Sequence, residues 1–126
     1  MAEPDAAPVL QVELEQGVAR LWLNRPARRN AFDAALVAGL TAVLAELGGS
    51  EAVRLIVIGG RGAAFCAGAD LDWMRAQGEL SRAANLDDAR RLAQLFAVLD
   101  ACPKPTVARV HGACFGGGLG LVAACD

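Results

Sequence analysis

The sequence Arg54-Leu-Ile-Val-Ile-Gly-Gly-Arg-Gly-Ala-Ala-Phe-Cys-Ala-Gly-Ala-Asp-Leu71 joins a short apolar run, a glycine-rich segment and the start of a helix. The continuous apolar run Arg54–Ile58 predicts a strand that is covered on both faces. Gly59 and the glycines after it predict the end of that strand, and Asp70 is expected in the first turn of the following helix. A strand followed by a helix indicates α/β layering, so the predicted fold class is α/β.

Elements of both kinds flank this stretch. Val9–Glu15 and Val18–Asn24 are predicted strands joined by a hairpin at Gln16-Gly17. Asp33 is predicted to cap a helix with apolar residues every three or four positions, and Gly48-Gly49 is predicted to end it. A longer helix, a buried strand and a last helix are predicted at Asn85–Ala101, Thr106–Val110 and Leu119–Cys125. The apolar stripe predicted for the longer helix is Leu86, Ala89, Leu92, Phe96 and Leu99.

Composition limits the classes of protein to which the chain can belong. Of its 126 residues, 55% are hydrophobic and 21% are charged, which excludes general disorder and suits one domain or part of one. A formal charge of −2 gives no support for a nucleic-acid-binding face. Residues 1–8 are predicted to be a loose tail, and residues 9–126 a portion of a single domain. Because the sequence stops directly after an apolar helix, we expect a fragment.

The same sequence gives no sign of a metal site, a secreted protein or a membrane span. The four cysteines form no C-x-x-C pair, and a single histidine cannot complete a zinc pattern, so no metal is expected and the thiols are predicted to be buried and reduced. The acidic N-terminus lacks the order of a signal peptide, and no apolar run approaches the length of a membrane span. We therefore expect a cytoplasmic protein.

Three glycine clusters invite a functional interpretation. Gly59-Gly-Arg-Gly62 fails as a dinucleotide fingerprint because Phe65 stands where a small residue is needed, and Gly112-x-x-x-x-Gly117 lacks the lysine of a P-loop. Ala67–Asp70 and Gly116–Gly118, in contrast, each open a predicted helix, where backbone N–H groups are unpaired. Two such helix starts meeting at one carbonyl oxygen would form an oxyanion hole. Glycine-rich turns without a catalytic role are the alternative.

Four motifs taken together carry a family resemblance: Leu23-Asn-Arg-Pro26 with Asn30-Ala-Phe32, Phe65-Cys-Ala-Gly-Ala-Asp-Leu71, Val110-His-Gly-Ala-Cys-Phe-Gly-Gly-Gly118 and Ala124-Cys-Asp126. In this order and spacing they resemble the enoyl-CoA hydratase/isomerase (crotonase) family, and in look they are most like bacterial hydratases of the methylglutaconyl-CoA type. The resemblance implies a crotonase-like spiral of ββα units. This sequence would supply the N-terminal part, without the C-terminal helices that assemble homotrimers or hexamers.

The resemblance also implies an activity. It is the addition of water across the 2,3 double bond of an acyl-CoA thioester, in fatty acid metabolism or branched-chain amino acid degradation, with coenzyme A as part of the substrate and no other cofactor. A 3,2-enoyl-CoA isomerase, another crotonase-type lyase or hydrolase, and a non-catalytic acyl-CoA-binding fragment remain as alternatives.

By resemblance, the backbone N–H groups of Ala69 and Gly117 would hold the thioester oxygen. The remaining substrate-binding positions are Ala67, Gly68, Asp70, Leu71 and Gly116 along the same turns, Arg28 and Arg29 for CoA phosphates, and Trp73 and Met74 at the acyl pocket. A solvated loop is an equal alternative for the two arginines, and core packing is one for Trp73 and Met74.

The main departure from the family lies at Gly120, where many hydratases carry a catalytic glutamate. A second family glutamate lies beyond Asp126. Asp70 is expected to stabilise a helix end rather than to move a proton, and His111, which has no triad partner, is expected to be structural. We therefore expect the 126 residues alone to be inactive.

Overall fold

The computed structural model describes residues 8–126 as a four-stranded sheet with helices packed on one of its faces. The strands, in their spatial order, are β1 (Leu10–Glu15), β2 (Val18–Leu23), β3 (Leu55–Gly60) and β4 (Thr106–Ala108). The helices are α1 (Ala34–Gly49), α2 (Leu71–Gly78), α3 (Arg82–Asp100) and α4 (Gly117–Ala124). Apart from Pro8, the tail predicted at residues 1–8 lies outside the described residues. Within residues 8–126, no helix is long and apolar enough to cross a membrane.

The N-terminal part of the fold follows the sequence prediction closely. β1 and β2 pair antiparallel and are joined by a tight turn at Gln16 and Gly17, whose φ angles are 51° and 83°. The Asp33 carboxylate caps α1 by accepting a hydrogen bond of 2.9 Å from the Leu36 N–H. β2, β3 and β4 then run parallel, as expected for strands connected by helices.

The predictions for β3 and β4 were wrong in detail. β3 continues through Gly59 and Gly60, because these residues pair with Trp22 and Leu23 of β2. The Trp22 ring packs so close to Gly59 that an added Cβ would lie 2.8 Å from it. The face of β3 that carries Val57 is only half-buried, so this strand is not covered on both faces. β4 ends at Ala108. Val107 is 46% exposed, because only one face of this strand is covered.

The helix predicted at Asn85–Ala101 also needs correction. α3 begins at Arg82, three residues earlier than expected, because the Ser81 hydroxyl accepts from the Ala84 N–H and caps it. Leu86 and Ala89 of the predicted stripe are exposed, since the first half of α3 contributes no buried residue to the core. The sequence prediction also missed Leu95, which is fully buried together with Leu99, whereas Leu92 and Phe96 pack against the core as expected.

One hydrophobic core lies between the sheet and α1, α3 and α4. Its largest fully buried side chains are Leu21, Leu23, Phe32, Leu36, Leu40, Leu44, Ile56, Ile58, Phe65, Leu95, Leu99 and Leu121. All four cysteines are free thiols as expected, but only Cys66 is fully buried and the others are partly exposed. The core supports the segments that follow β3 and β4, where the candidate site lies.

Candidate functional site

The segment Ala67–Asp70 is held by the residues that precede α1. The Phe32 N–H donates to the Gly68 carbonyl at 2.7 Å, and the Asp70 N–H donates to the Phe32 carbonyl at 2.8 Å. These bonds form a one-residue parallel bridge between Phe32 and Ala69. The N–H of Ala69 itself has no acceptor among residues 8–126. The segment therefore offers one unused backbone donor in a fixed position.

The second segment, Phe115–Gly118, lies directly against the first. The Phe115 N–H donates to the Cys66 carbonyl at 3.0 Å. A Cβ built on Gly68 would lie 3.0 Å from the Phe115 oxygen, which shows how closely the two backbones approach. Gly116, with φ 51°, precedes α4, and in the part of the chain that the structure describes no acceptor takes the N–H of Gly117. Each of two adjoining turns thus presents a free N–H.

Glycine is required in this second turn because other groups pack against it. A Cβ on Gly117 would lie 2.4 Å from Cε2 of Phe32, and one on Gly118 would lie 2.5 Å from the Cys66 carbonyl oxygen. A Cβ on Gly120 would lie 2.8 Å from two ring atoms of Phe96. A glutamate side chain at position 120 therefore has no room unless Phe96 moves.

A cavity of about 410 Å³ opens beside the first turn. Six of the residues predicted from the sequence line it: Arg28, Arg29, Ala67, Ala69, Asp70 and Leu71. Ala27, Ala31 and Phe115 also line it and were missed, because small residues and one exposed aromatic carry no distinctive sequence signal. Gly68, Gly116 and Gly117 belong to the two turns but do not line this cavity.

Trp73 and Met74 do not line this cavity either. Trp73 packs against the hydrophobic core, as the alternative interpretation expected, whereas Met74 is 51% exposed on α2. Their predicted contact with an acyl chain therefore has no support from the lining of this cavity.

The two arginines of the cavity differ in their surroundings. Arg28 forms an exposed ion pair of 2.8 Å with Asp72. Arg29 has no carboxylate partner within 4.0 Å among residues 8–126, and its carbonyl accepts the Ala67 N–H at 3.0 Å. Arg28 and Arg29 place positive charge at the cavity wall next to the first turn.

Arg25 is a residue of this site whose role the sequence prediction missed. Its Nη2 lies 3.3 Å from Asp70 and 3.2 Å from Asp33, and its Nη1 donates to the Ala31 carbonyl. One guanidinium therefore ties together the residues that cap α1 and α2. The sequence showed Arg25 only as the residue before a proline, and nothing local marked its distant partners.

Asp70 is the N-cap of α2 rather than a first-turn residue, a correction to the sequence prediction. Its carboxylate accepts from the backbone N–H groups of Asp72 and Trp73, and the side chain is 5% exposed. Burial opposes ionisation, but hydrogen bonds from the Trp73 N–H, Arg25 and the Asp72 N–H outweigh it and lower the pKa of Asp70 below its ordinary value. The carboxylate is thus fully engaged and poorly suited to accept a proton.

This lowered pKa predicts a dependence of stability on pH. Ionised Asp70 stabilises the fold above the ordinary pKa of 3.8, and this stabilisation is lost as the pH falls through the lowered value. At neutral pH we expect Asp70→Asn to reduce the free energy of unfolding by about 1.5–3 kcal/mol, a difference that shrinks in acid. Urea denaturation between neutral pH and about pH 3 measures it.

Asp72→Asn is the matched control, because Asp72 is exposed and its ion pairs contribute little. Equal pH dependence of unfolding in the wild type and Asp70→Asn would contradict the assigned role of Asp70.

Two other reactive side chains near the turns are accounted for. Nε2 of His111 lies 2.6 Å from the Gly62 carbonyl, to which it donates, so this nitrogen is not free to act as a base. Burial raises the pKa of the Cys66 thiol to about 11, which keeps it protonated at neutral pH. No group of three or more His, Cys, Asp or Glu side chains within residues 8–126 is arranged to hold a metal ion.

Comparison with known proteins shows similarity over nearly the whole chain. The sequence profile described as "Enoyl-CoA hydratase/isomerase" matches residues 13–126. The enoyl-CoA hydratase AKT6-1 of Alternaria alternata is 38% identical over 116 residues, which are 92% of this chain and 37% of that protein. The mitochondrial Delta(3,5)-Delta(2,4)-dienoyl-CoA isomerase of Mus musculus is 36% identical over 123 residues, covering 89% of this chain and 37% of that protein.

A solved structure shows the same fold. The crystal structure of an enoyl-CoA hydratase from Shewanella pealeana matches with a TM-score of 0.91 and 41% identity, over 94% of this chain and 44% of that one. The chain therefore spans less than half the length of these relatives.

Proposed function

Because the chain belongs to the enoyl-CoA hydratase/isomerase family, we propose that it forms the thioester-binding part of an enzyme that adds water to an enoyl-CoA. The observation that carries this proposal is the pair of adjoining turns with free N–H groups at Ala69 and Gly117. Two such donors stabilise the negative charge that develops on the thioester oxygen when water attacks C3. Water addition changes no net oxidation state, so the reaction needs no redox cofactor.

The cavity beside the first turn suits the coenzyme A portion of the substrate. CoA carries phosphates. Arg29 brings to the cavity wall a positive charge with no carboxylate partner among residues 8–126, and Arg28 brings a second one that is paired with exposed Asp72. Ala67, Ala69 and Ala31 leave room there because their side chains are small. We propose that the phosphates lie against the arginines and that the thioester reaches the N–H of Ala69.

The proton-transfer group has no candidate in this cavity. Asp70 is its only lining carboxylate among the described residues and is held by Arg25 and two N–H groups. A side chain at position 120 would meet Phe96. We propose that one glutamate outside these 126 residues transfers the proton, which suits either hydration or a proton shuttle between carbons.

Isomerisation is the second candidate, favoured by the similarity to a dienoyl-CoA isomerase and by the missing carboxylate at position 120. Assays with the purified full-length protein separate the two. Loss of the enoyl-thioester absorbance with crotonyl-CoA or 3-methylglutaconyl-CoA supports hydration, and a gain of that absorbance with a 3-enoyl-CoA supports isomerisation. Binding of these thioesters without turnover of any of them refutes both and favours a binding module.

A further inference from the structure

Phe32 contacts both turns: its backbone hydrogen bonds hold the first turn, and its side chain packs on the second. Its backbone N–H and carbonyl bond to Gly68 and Asp70, on either side of Ala69. In a trans peptide the C=O and N–H groups point in opposite directions. The bond to the Gly68 carbonyl therefore also sets the direction of the N–H of Ala69, which belongs to the same peptide group and points away from Phe32.

The ring of Phe32 supports the second turn. Its Cε2 and Cδ2 atoms lie 2.4 Å and 2.8 Å from the place where a Cβ of Gly117 would stand, so the ring packs directly on this glycine. Phe32 is only 1% exposed, and Phe96 packs edge-on against it with ring centroids 6.5 Å apart. The ring has little freedom to move, and the Gly116–Gly117 peptide is held at a fixed distance from the Phe32 backbone.

We propose that Phe32 is the positioning residue of the oxyanion hole and sets the separation and direction of both N–H donors. The inference rests on the proposed function. Donors stabilise a developing charge only when they are held in place beforehand, and a displacement of about 1 Å can cost on the order of 100-fold in rate. Phe32 does not line the cavity beside the first turn, and its effect passes through the two turns.

The test is Phe32→Leu in the full-length protein, which keeps the backbone hydrogen bonds but removes Cε2, the ring atom nearest Gly117. We expect kcat to fall on the order of 100-fold with little change in KM, because CoA binding lies elsewhere. Infrared difference spectra of bound butyryl-CoA, isotopically labelled at the thioester carbonyl, provide a second measurement. This saturated thioester cannot react. Its carbonyl band should shift to lower frequency in the wild type and shift less in the variant.

Leu44→Ala is the matched control, since Leu44 is as buried as Phe32 but lies in the third turn of α1. It should lower the free energy of unfolding without changing the carbonyl band. The inference is overturned if Phe32→Leu leaves kcat and the band unchanged, or if Leu44→Ala alters both equally. If the wild type binds butyryl-CoA with no band shift, the proposed oxyanion hole fails and this inference fails with it.

Discussion

Replacing Ala69 with proline is expected to lower kcat by roughly 100–1,000-fold while the fold is retained. Proline removes the N–H, and at this position no internal hydrogen bond depends on it, because the bridge to Phe32 uses the Gly68 carbonyl and the Asp70 N–H. The preceding residue, Gly68, has a φ of 87° and no Cβ that would clash with the Cδ of a following proline. Steady-state kinetics together with thermal unfolding measure both effects.

Ala69→Gly is the control for this prediction, since it keeps the N–H and adds no atoms. It should retain far more turnover than the proline variant. Wild-type turnover in Ala69→Pro would remove Ala69 from the oxyanion hole, whatever the similarity to the family.

The second large effect is expected at Gly117, where the structure changes the design of the experiment. A proline at the first position of a helix is normally tolerated and removes only an unpaired N–H. Here, however, any Cβ at residue 117 meets the Phe32 ring. Gly117→Pro therefore combines the loss of a donor with a steric clash, and only a comparison with Gly117→Ala separates them.

Gly117→Ala keeps the N–H and introduces the same clash. We expect Gly117→Ala to lose part of the turnover when Phe32 is present and to cost much less in the Phe32→Leu background, which lacks the Cε2 atom in the way. Gly117→Pro should lose roughly a further 100–1,000-fold that Phe32→Leu does not restore. Equal kcat values for the proline and alanine variants would show that the N–H of Gly117 takes no part in the reaction.

The family assignment from the sequence is confirmed, since the matching profile covers residues 13–126 and the solved hydratase shares the fold. That assignment depended on four motifs in their order and spacing, whereas local elements were predicted from short-range signals. The hairpin at Gln16-Gly17 and the cap at Asp33 each depend on residues a few positions apart, and the structure contains both. The roles assigned to Ala69 and Gly117 stay predictions for the kinetic experiments to decide.

The sequence alone did not predict which strand faces are exposed or which distant residues pack closely together. An apolar run such as the one in β3 has the same pattern whether one face or both are covered, and its glycines were interpreted as breakers. They continue the strand because they pair with Trp22 and Leu23 on the neighbouring strand, where the Trp22 ring also packs on Gly59. The three partners of Arg25 are likewise brought together only when β2, α1 and α2 are in place.

The sequence determined the order of strands and helices and the two glycine turns, because propensity, periodicity and capping act over a few residues. It also identified the family, through four motifs that occur in the family's order and spacing. The tertiary structure decided how the two turns are held. It placed the Phe32 backbone beside Ala69 and the Phe32 ring on Gly117, and it closed the space that a side chain at Gly120 would need. These contacts join residues far apart in the chain, and their geometry is set by how the core packs, which no local pattern encodes.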